Sequence, residues 1–323
     1  MSPHGRRDRD RGVVVITGAS SGIGRAAAHR FARRGASLVL AARGVDALED
    51  VVRECVALGA RAVAVPTDVS EPSQVAALAE AAIARFGRID VWVGNASVFA
   101  YGAFEDTPPE VFRQQLETNF FGQIEGVRAV LPVFHRQGGG TLIFVASIYG
   151  RVTSPYASGY VASKHALMGF SEVLRQELRG SGIDVCTVLP ATIDTPIYQN
   201  SANYTGHPVH PLPPIVSPKR VASAIVRLAR RPRRAAVVGR LQGLLVPMHE
   251  FTPGLYHATV RPAMDLLALR RGEAAPSAGN VFEPQQQNSA VTGGWRLPAP
   301  VRLLPFAAVL GAALVAVRRL RRL

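Results

Sequence analysis

The chain has 323 residues, 48% of them apolar and 19% charged, two cysteines and a formal net charge of +14. Such a composition excludes a disordered chain. Two cysteines give no disulfide framework, so Cys55 and Cys186 suit a reducing compartment. The length admits one large domain or two small ones. The charge does not argue for nucleic acid, because the arginines cluster apart from the aromatics: Arg6, Arg7, Arg9 and Arg11; Arg230, Arg231, Arg233 and Arg234; Arg318, Arg319, Arg321 and Arg322. An anionic membrane surface, or simple solvation, explains them better. The eight histidines are scattered, His207 and His210 stand in a proline-rich loop without further ligands, and no metal site is expected.

Residues 1–11 form a basic arm that lacks the apolar core of a secretory signal. The β-branched run 13–17 then reads as a strand buried on both faces. It leads into Gly18-Ala19-Ser20-Ser21-Gly22-Ile23-Gly24 and an alanine-rich helical stretch closed by Gly35. Strand, glycine turn and helix N-terminus together make an anion site, since free N–H groups and the helix dipole point at one place. The plain alternative is a structural turn. Further strands are expected at 37–42, 61–65, 90–94, 141–146, 183–189 and 235–238. Helices are expected at 22–34, 46–58, 71–86, 108–136, 157–180 and 218–230. Alternation at this spacing predicts an α/β doubly wound parallel sheet of about seven strands, helices on both faces and ligands beyond the strands' carboxyl ends. No internal repeat is visible.

Tyr160 and Lys164 stand one turn apart on the helix expected over 157–180. Lysine is scarce here: Lys164 and Lys219 are the two lysines among 37 basic residues. An ammonium beside a phenol favours phenolate, which predicts a Tyr160 pKa lowered towards the range of a general acid–base. A surface tyrosine beside a solvated lysine is the plain alternative.

Together these motifs resemble those of the short-chain dehydrogenases/reductases over residues 12–240. Thr17, Gly18, Ser20, Ser21, Gly22, Ile23 and Gly24 match that family's cofactor turn on a Rossmann-type sheet. Ser147, thirteen residues before Tyr160, stands where the family places a catalytic serine, and Asn119 matches its fourth catalytic position. The resemblance implies carbonyl–alcohol interconversion with a nicotinamide cofactor. Tyr160 would exchange the proton, Ser147 would donate to the substrate oxygen, Lys164 would hold ribose hydroxyls and Asn119 would hold a relay water. It implies adenine contacts from Asp68 and Val69, support from Asn95 and Ala96, and nicotinamide contacts from Pro190, Ile193 and Thr195. It also implies a homo-oligomer. A non-catalytic dinucleotide sensor is the alternative, but a sensor needs only the glycine turn.

The second strand ends in Ala42-Arg43 without an acidic residue, so a 2′-phosphate meets a guanidinium and not a carboxylate. NADP(H) is therefore favoured over NAD(H). Two positions depart from the family pattern: Ser97 and Ala191 stand where glycine is usual, and Ser97 is strained if its φ is positive. The proline-rich stretch 192–217 reads as a lid. Phe99, Tyr101, Tyr149, Tyr198 and Tyr204 are expected to line an apolar pocket for a lipophilic ketone or secondary alcohol.

Residues 241–300 form a C-terminal extension, with helix-like spacing at 251–271 broken by Pro262 and a polar linker over 273–300. The tail 301–323 carries an apolar run at 303–317 ahead of its arginines. Fifteen residues make a helix of ~22 Å, short of the ~30 Å hydrocarbon core. The tail is expected to dip into an anionic leaflet, which places a cytoplasmic protein at the inner face of a membrane. Docking on the enzyme's own surface or a partner, and disorder, are the alternatives.

Overall fold

A computed structural model describes residues 9–285 and 287–296. Seven parallel strands form one sheet in the order β3-β2-β1-β4-β6-β7-β9. They are β1 (Val13–Thr17), β2 (Ser37–Ala42), β3 (Arg61–Pro66), β4 (Val91–Gly94), β6 (Gly140–Val145), β7 (Ile183–Pro190) and β9 (Ala235–Val238). The order turns back on itself between β1 and β4, and a cleft opens at their carboxyl ends. Two short strands, β5 (Ala100–Tyr101) and β8 (Ala202–Asn203), pair separately.

One face of the sheet is covered by α1 (Gly22–Ala32), α2 (Val45–Ala57) and α7 (Pro218–Arg230), whose Phe31, Leu48, Val51 and Ile225 pack on Val14, Ile16 and Leu40. The other face is covered by α3 (Pro72–Phe86), α5 (Gly122–Gln137) and α6 (Ser158–Glu177), through Leu78, Val130, Phe134 and Leu167. Burial on both faces is why β1, β2 and β6 are apolar along most of their length instead of alternating.

The single helix expected over 108–136 is interrupted. It runs as α4 (Pro109–Leu116), a wide π turn (Glu117–Phe121) and α5. The interruption has local causes. Asn119 in the wide turn bonds the backbone of Val98. Gly122 then lies so close to Val69 that a Cβ would stand 2.8 Å from its carbonyl oxygen. A π bulge of this kind often marks a functional site.

The extension is no appendage. Helices α8 (Arg240–Gly243), α9 (Leu245–Phe251) and α10 (Pro253–Ala263) and a π turn (Met264–Ala268) pack on the catalytic body. Tyr256 is buried against Ile148 and Val152, and Met264 and Ala268 against Phe99, Tyr101 and Tyr160. The expected linker over 273–300 is also corrected within its described part. Val281 is fully buried, and the backbone around it pairs with residues 200–203 and Arg43. Its backbone N–H and carbonyl groups supply most of its hydrogen bonds to the body, so a polar stretch is held in place without an apolar pattern of its own. The apolar tail lies outside the described residues. Among those described, no helix is long and apolar enough to cross a membrane, and no metal-holding group of three His, Cys, Asp or Glu residues occurs.

Candidate active site

The glycine turn closes the gap between β1 and α1. Gly18 and Gly22 have φ of +63° and +53°, which glycine adopts without strain. Gly24 allows helix and strand to touch, since a Cβ there would lie 2.1 Å from the Gly18 carbonyl oxygen. Asn95, just after β4, braces the turn by donating from Nδ2 to the carbonyls of Thr17 (2.9 Å) and Gly18 (3.0 Å). The Thr17 hydroxyl in turn accepts from the Asn95 and Ala96 N–H groups at 3.0 and 3.1 Å. Thr17, Gly24 and Asn119 therefore act from behind the wall. The other expected cofactor residues line one cavity of about 270 Å³ together with Ser147, Tyr160 and Lys164.

Tyr160 and Lys164 lie on α6, buried at 7% and 1% exposure. The Lys164 Nζ stands 5.3 Å from the Tyr160 ring centroid and donates to the Val145 carbonyl at 3.2 Å. Burial pushes Lys164 down to about 7. It pushes Tyr160 above its ordinary value, partly offset by hydrogen bonds with Ser147 and, more weakly, Ser97. The lowering of Tyr160 by Lys164 expected from their spacing is thus absent. Desolvation disfavours charge on both groups, and hydroxyl donors rather than the ammonium favour the phenolate. Ser147 caps the short turn after β6, its Oγ accepting from the Tyr149 N–H at 3.2 Å.

The strain expected at Ser97 does not occur, because positive φ among non-glycine residues is confined to Tyr156 and Asn288 among those described. Its hydroxyl instead donates to Asn119 Oδ1 at 3.0 Å and also reaches Tyr160. Asn119 is saturated: Oδ1 accepts from Ser97 and the Val98 N–H, and Nδ2 donates to the Val98 carbonyl and Ser163. Its side chain therefore has no capacity left for a further partner, and it serves to position Ser97 against α6. Ala191, the other departure, packs against Gly239, where a Cβ would meet its own at 2.5 Å.

Phe99, Tyr101, Tyr149 and Tyr198 line the cavity as expected. Tyr204 does not. It packs instead with Val98, Ala100 and Val111 on the far side of the β5–β8 pair, because successive strand residues face opposite ways. The stretch 192–217, expected as a lid, is held rather than loose, with Ile193 bridged to Val216 and Gln242 bonded to the Thr192 backbone and hydroxyl. Sequence reasoning missed Gln242, Leu245, Tyr256, Met264 and Ala268 in the wall. They follow the last recognisable motif, and their place is set only by tertiary packing.

Arg43 is also more engaged than expected. Its Nη1 donates to the carbonyls of Val281 and Phe282, its Nη2 to that of Asn280, and Asp68 Oδ2 lies 3.8 Å away. Burial holds its pKa below the ordinary value, with Asp68 acting against this. Asp68 Oδ1 meanwhile accepts from the Ser70 backbone and hydroxyl.

The sequence pattern of the family described as short chain dehydrogenase matches residues 12–205. The chain belongs to the short-chain dehydrogenase/reductase family. It is 34% identical over 255 residues to dehydrogenase/reductase SDR family member 7B of Bos taurus, covering 76% of this chain and 78% of that protein. It is 38% identical over 231 residues to YxnA, an uncharacterized oxidoreductase of Bacillus subtilis (strain 168), covering 70% of this chain and 65% of that one. Among solved structures, an alcohol dehydrogenase from the archaeon Thermococcus sibiricus, complexed with 5-hydroxy-NADP, is similar with a TM-score of 0.61. It shares 30% identity and covers 70% of this chain and 94% of its own. As a short-chain dehydrogenase/reductase, the chain is an NAD(P)-dependent oxidoreductase on a Rossmann-type sheet.

Proposed function

We propose that this short-chain dehydrogenase/reductase interconverts a lipophilic ketone and its secondary alcohol with NADP(H), using Tyr160 as general acid–base. One observation carries the reading: Tyr160, Ser147 and Lys164 meet in a single cavity that also takes in the glycine turn and an apolar stretch of wall formed by Phe99, Tyr101, Tyr149, Tyr198, Leu245 and Met264. A dinucleotide suits that cavity, because Gly18, Ser20, Ser21, Gly22 and Ile23 of the glycine turn line it and Lys164 brings a buried amine to the same space. When bound, the nicotinamide supplies or accepts the hydride. The chain's own residues manage the oxygen and the proton. Tyr160 gives its proton to the carbonyl oxygen in reduction and takes it back in oxidation. Ser147, within hydrogen-bonding reach of that phenol, donates to the same oxygen where negative charge develops. Lys164 spends one N–H on Val145, which leaves two for ribose hydroxyls. The aromatic wall excludes water and selects apolar substrates. A panel of ketones of rising chain length, followed by NADPH absorbance with NADH in parallel, should show efficiency climbing with apolar size. A preference for small, charged carbonyls would contradict the lipophilic reading.

Arg43 supports NADP(H). Three of its five N–H groups meet carbonyls, which leaves Nε–H and one Nη2–H as an edge for a 2′-phosphate. The archaeal relative's 5-hydroxy-NADP is in keeping with this. Arg43→Asp should reverse the preference, with a loss of about one to two decades in NADPH affinity, since a charge-assisted contact gives way to repulsion. An unchanged NADPH to NADH ratio would place the phosphate elsewhere.

The tail is proposed to anchor the enzyme in an anionic, cytoplasm-facing leaflet. Deleting 301–323 should then leave activity towards small soluble carbonyls intact and abolish vesicle binding. Replacing Arg318, Arg319, Arg321 and Arg322 with glutamine should weaken that binding by ~1 kcal/mol per arginine near the surface. Full-length protein that ignores anionic vesicles would contradict this. Light scattering of the pure protein reads the homo-oligomer expected from the family.

A further inference from the structure

The two features assigned to the cofactor's phosphates, the glycine turn and Arg43, are both bonded to one C-terminal segment. The Gly22 N–H donates to the Ala290 carbonyl at 3.0 Å, and Arg25 Nη1 to the Ser289 carbonyl at 2.8 Å. Arg43 holds the carbonyls of Asn280, Val281 and Phe282. The segment is fastened on both sides of these contacts. Ser277 pairs with Asn203, the Asn280 N–H donates to the Asn200 carbonyl, and Asp194 Oδ1 accepts from the N–H groups of Gly293 and Trp295. Val281 plugs the segment into the apolar cluster of Val98, Ala100 and Val111.

The segment does not fill the groove. Asn280, Pro284 and Gln285 line the same cavity as Arg43, Gly44 and Asp68, so space remains beneath it. Within that wall lies an orphan: Asn280 Oδ1 is buried and has no hydrogen-bond partner. Buried acceptors are rarely left so, and one beside a ligand cavity asks for a donor from the ligand. The neighbourhood of Arg43 and Asp68 is the one read above as the adenosine end.

We propose that residues 277–285 and 288–295 are a clasp closing over the adenosine half of the bound dinucleotide, with Asn280 Oδ1 accepting a hydrogen bond from it. The proposal rests on the NAD(P) reading of the groove and goes beyond it. Arg43 thereby has two duties, holding the clasp by its carbonyls and the 2′-phosphate by its remaining edge. Dinucleotide enters and leaves only when the clasp lifts, so a bound cofactor locks the segment that covers it.

Hydrogen exchange of the full chain, with and without NADP⁺, reads this directly. If amides of 278–293 exchange only from the lifted state, NADP⁺ at a hundred times its Kd should slow them about 100-fold. Asn280→Ala keeps every backbone contact and should weaken NADP⁺ by about five- to tenfold in a calorimetric titration. The same loss should appear with 2′,5′-ADP, which carries the adenosine end alone, while the ligand-free unfolding midpoint stays in place. Tight binding of NADP⁺ with unchanged or faster exchange of 278–293 would overturn the clasp and leave the cofactor reading standing. Unchanged affinity of Asn280→Ala for both ligands would overturn the contact. No binding of NADP⁺ or NAD⁺ to the unaltered protein would overturn both readings.

Discussion

Tyr160→Phe is expected to lose about 10²- to 10⁴-fold in turnover, the usual worth of a positioned acid–base group. The change deletes one oxygen from a buried ring that packs on Phe99 at 4.2 Å between centroids, so the wall keeps its shape. Dinucleotide affinity should stay within a few-fold, because Arg43, Lys164 and the glycine turn are untouched. The loss should therefore fall on kcat rather than on KM. Steady-state kinetics beside a direct titration of NADP⁺ separate the two. Turnover above one-tenth of the unaltered enzyme would remove Tyr160 from the chemistry.

Replacing Lys164 with methionine should raise stability and abolish activity together. Lys164 is 1% exposed, and burial lowers its pKa from 10.5 to about 7. Between those values the unfolded chain binds a proton that the folded chain does not, so stability rises with pH across this window. Below about 7 both states are protonated and the folded enzyme bears the full cost of burying the charge. The methionine variant, one atom shorter but similar in volume, should gain most there. Its advantage should shrink as pH climbs from about 7 to 10.5. A shift of that size corresponds to roughly 5 kcal/mol as an upper bound. Urea unfolding of both proteins across the window reads the difference. A gap that does not change with pH would mean that the native ammonium keeps its ordinary pKa. Retained activity would mean that the lysine is dispensable to the site.

The sheet was legible because its central strands are buried on both faces and bounded by turn residues. The β-branched run Val13–Thr17 and the glycines after it allow little else. The gathering of Ser147, Tyr160 and Lys164 at one cavity was legible because they belong to local motifs on adjoining elements. Pairs of residues set by tertiary packing were not. Ser97 read as a misplaced glycine, yet its value lies in a hydroxyl that meets Asn119 and Tyr160 from another element. The π turn at Glu117–Phe121 has no period of its own, and β5 and β8, at two residues each, are too short to show one. Tyr160's pKa direction was misjudged because spacing reveals a neighbouring charge and says nothing of desolvation. Residues 277–296 looked like a linker because their polar side chains and glycines are those of a loop. They hold to the body mainly through backbone groups, which leave no mark on a sequence.

The most direct measurement follows the fate of a label. NADPH deuterated at the transferring position of the nicotinamide ring, incubated with the enzyme and an apolar ketone, should deliver deuterium to the carbinol carbon of the alcohol, while the hydroxyl proton comes from solvent through Tyr160. Alcohol without deuterium at that carbon, or no alcohol across a broad set of apolar ketones, would contradict carbonyl reduction at this site.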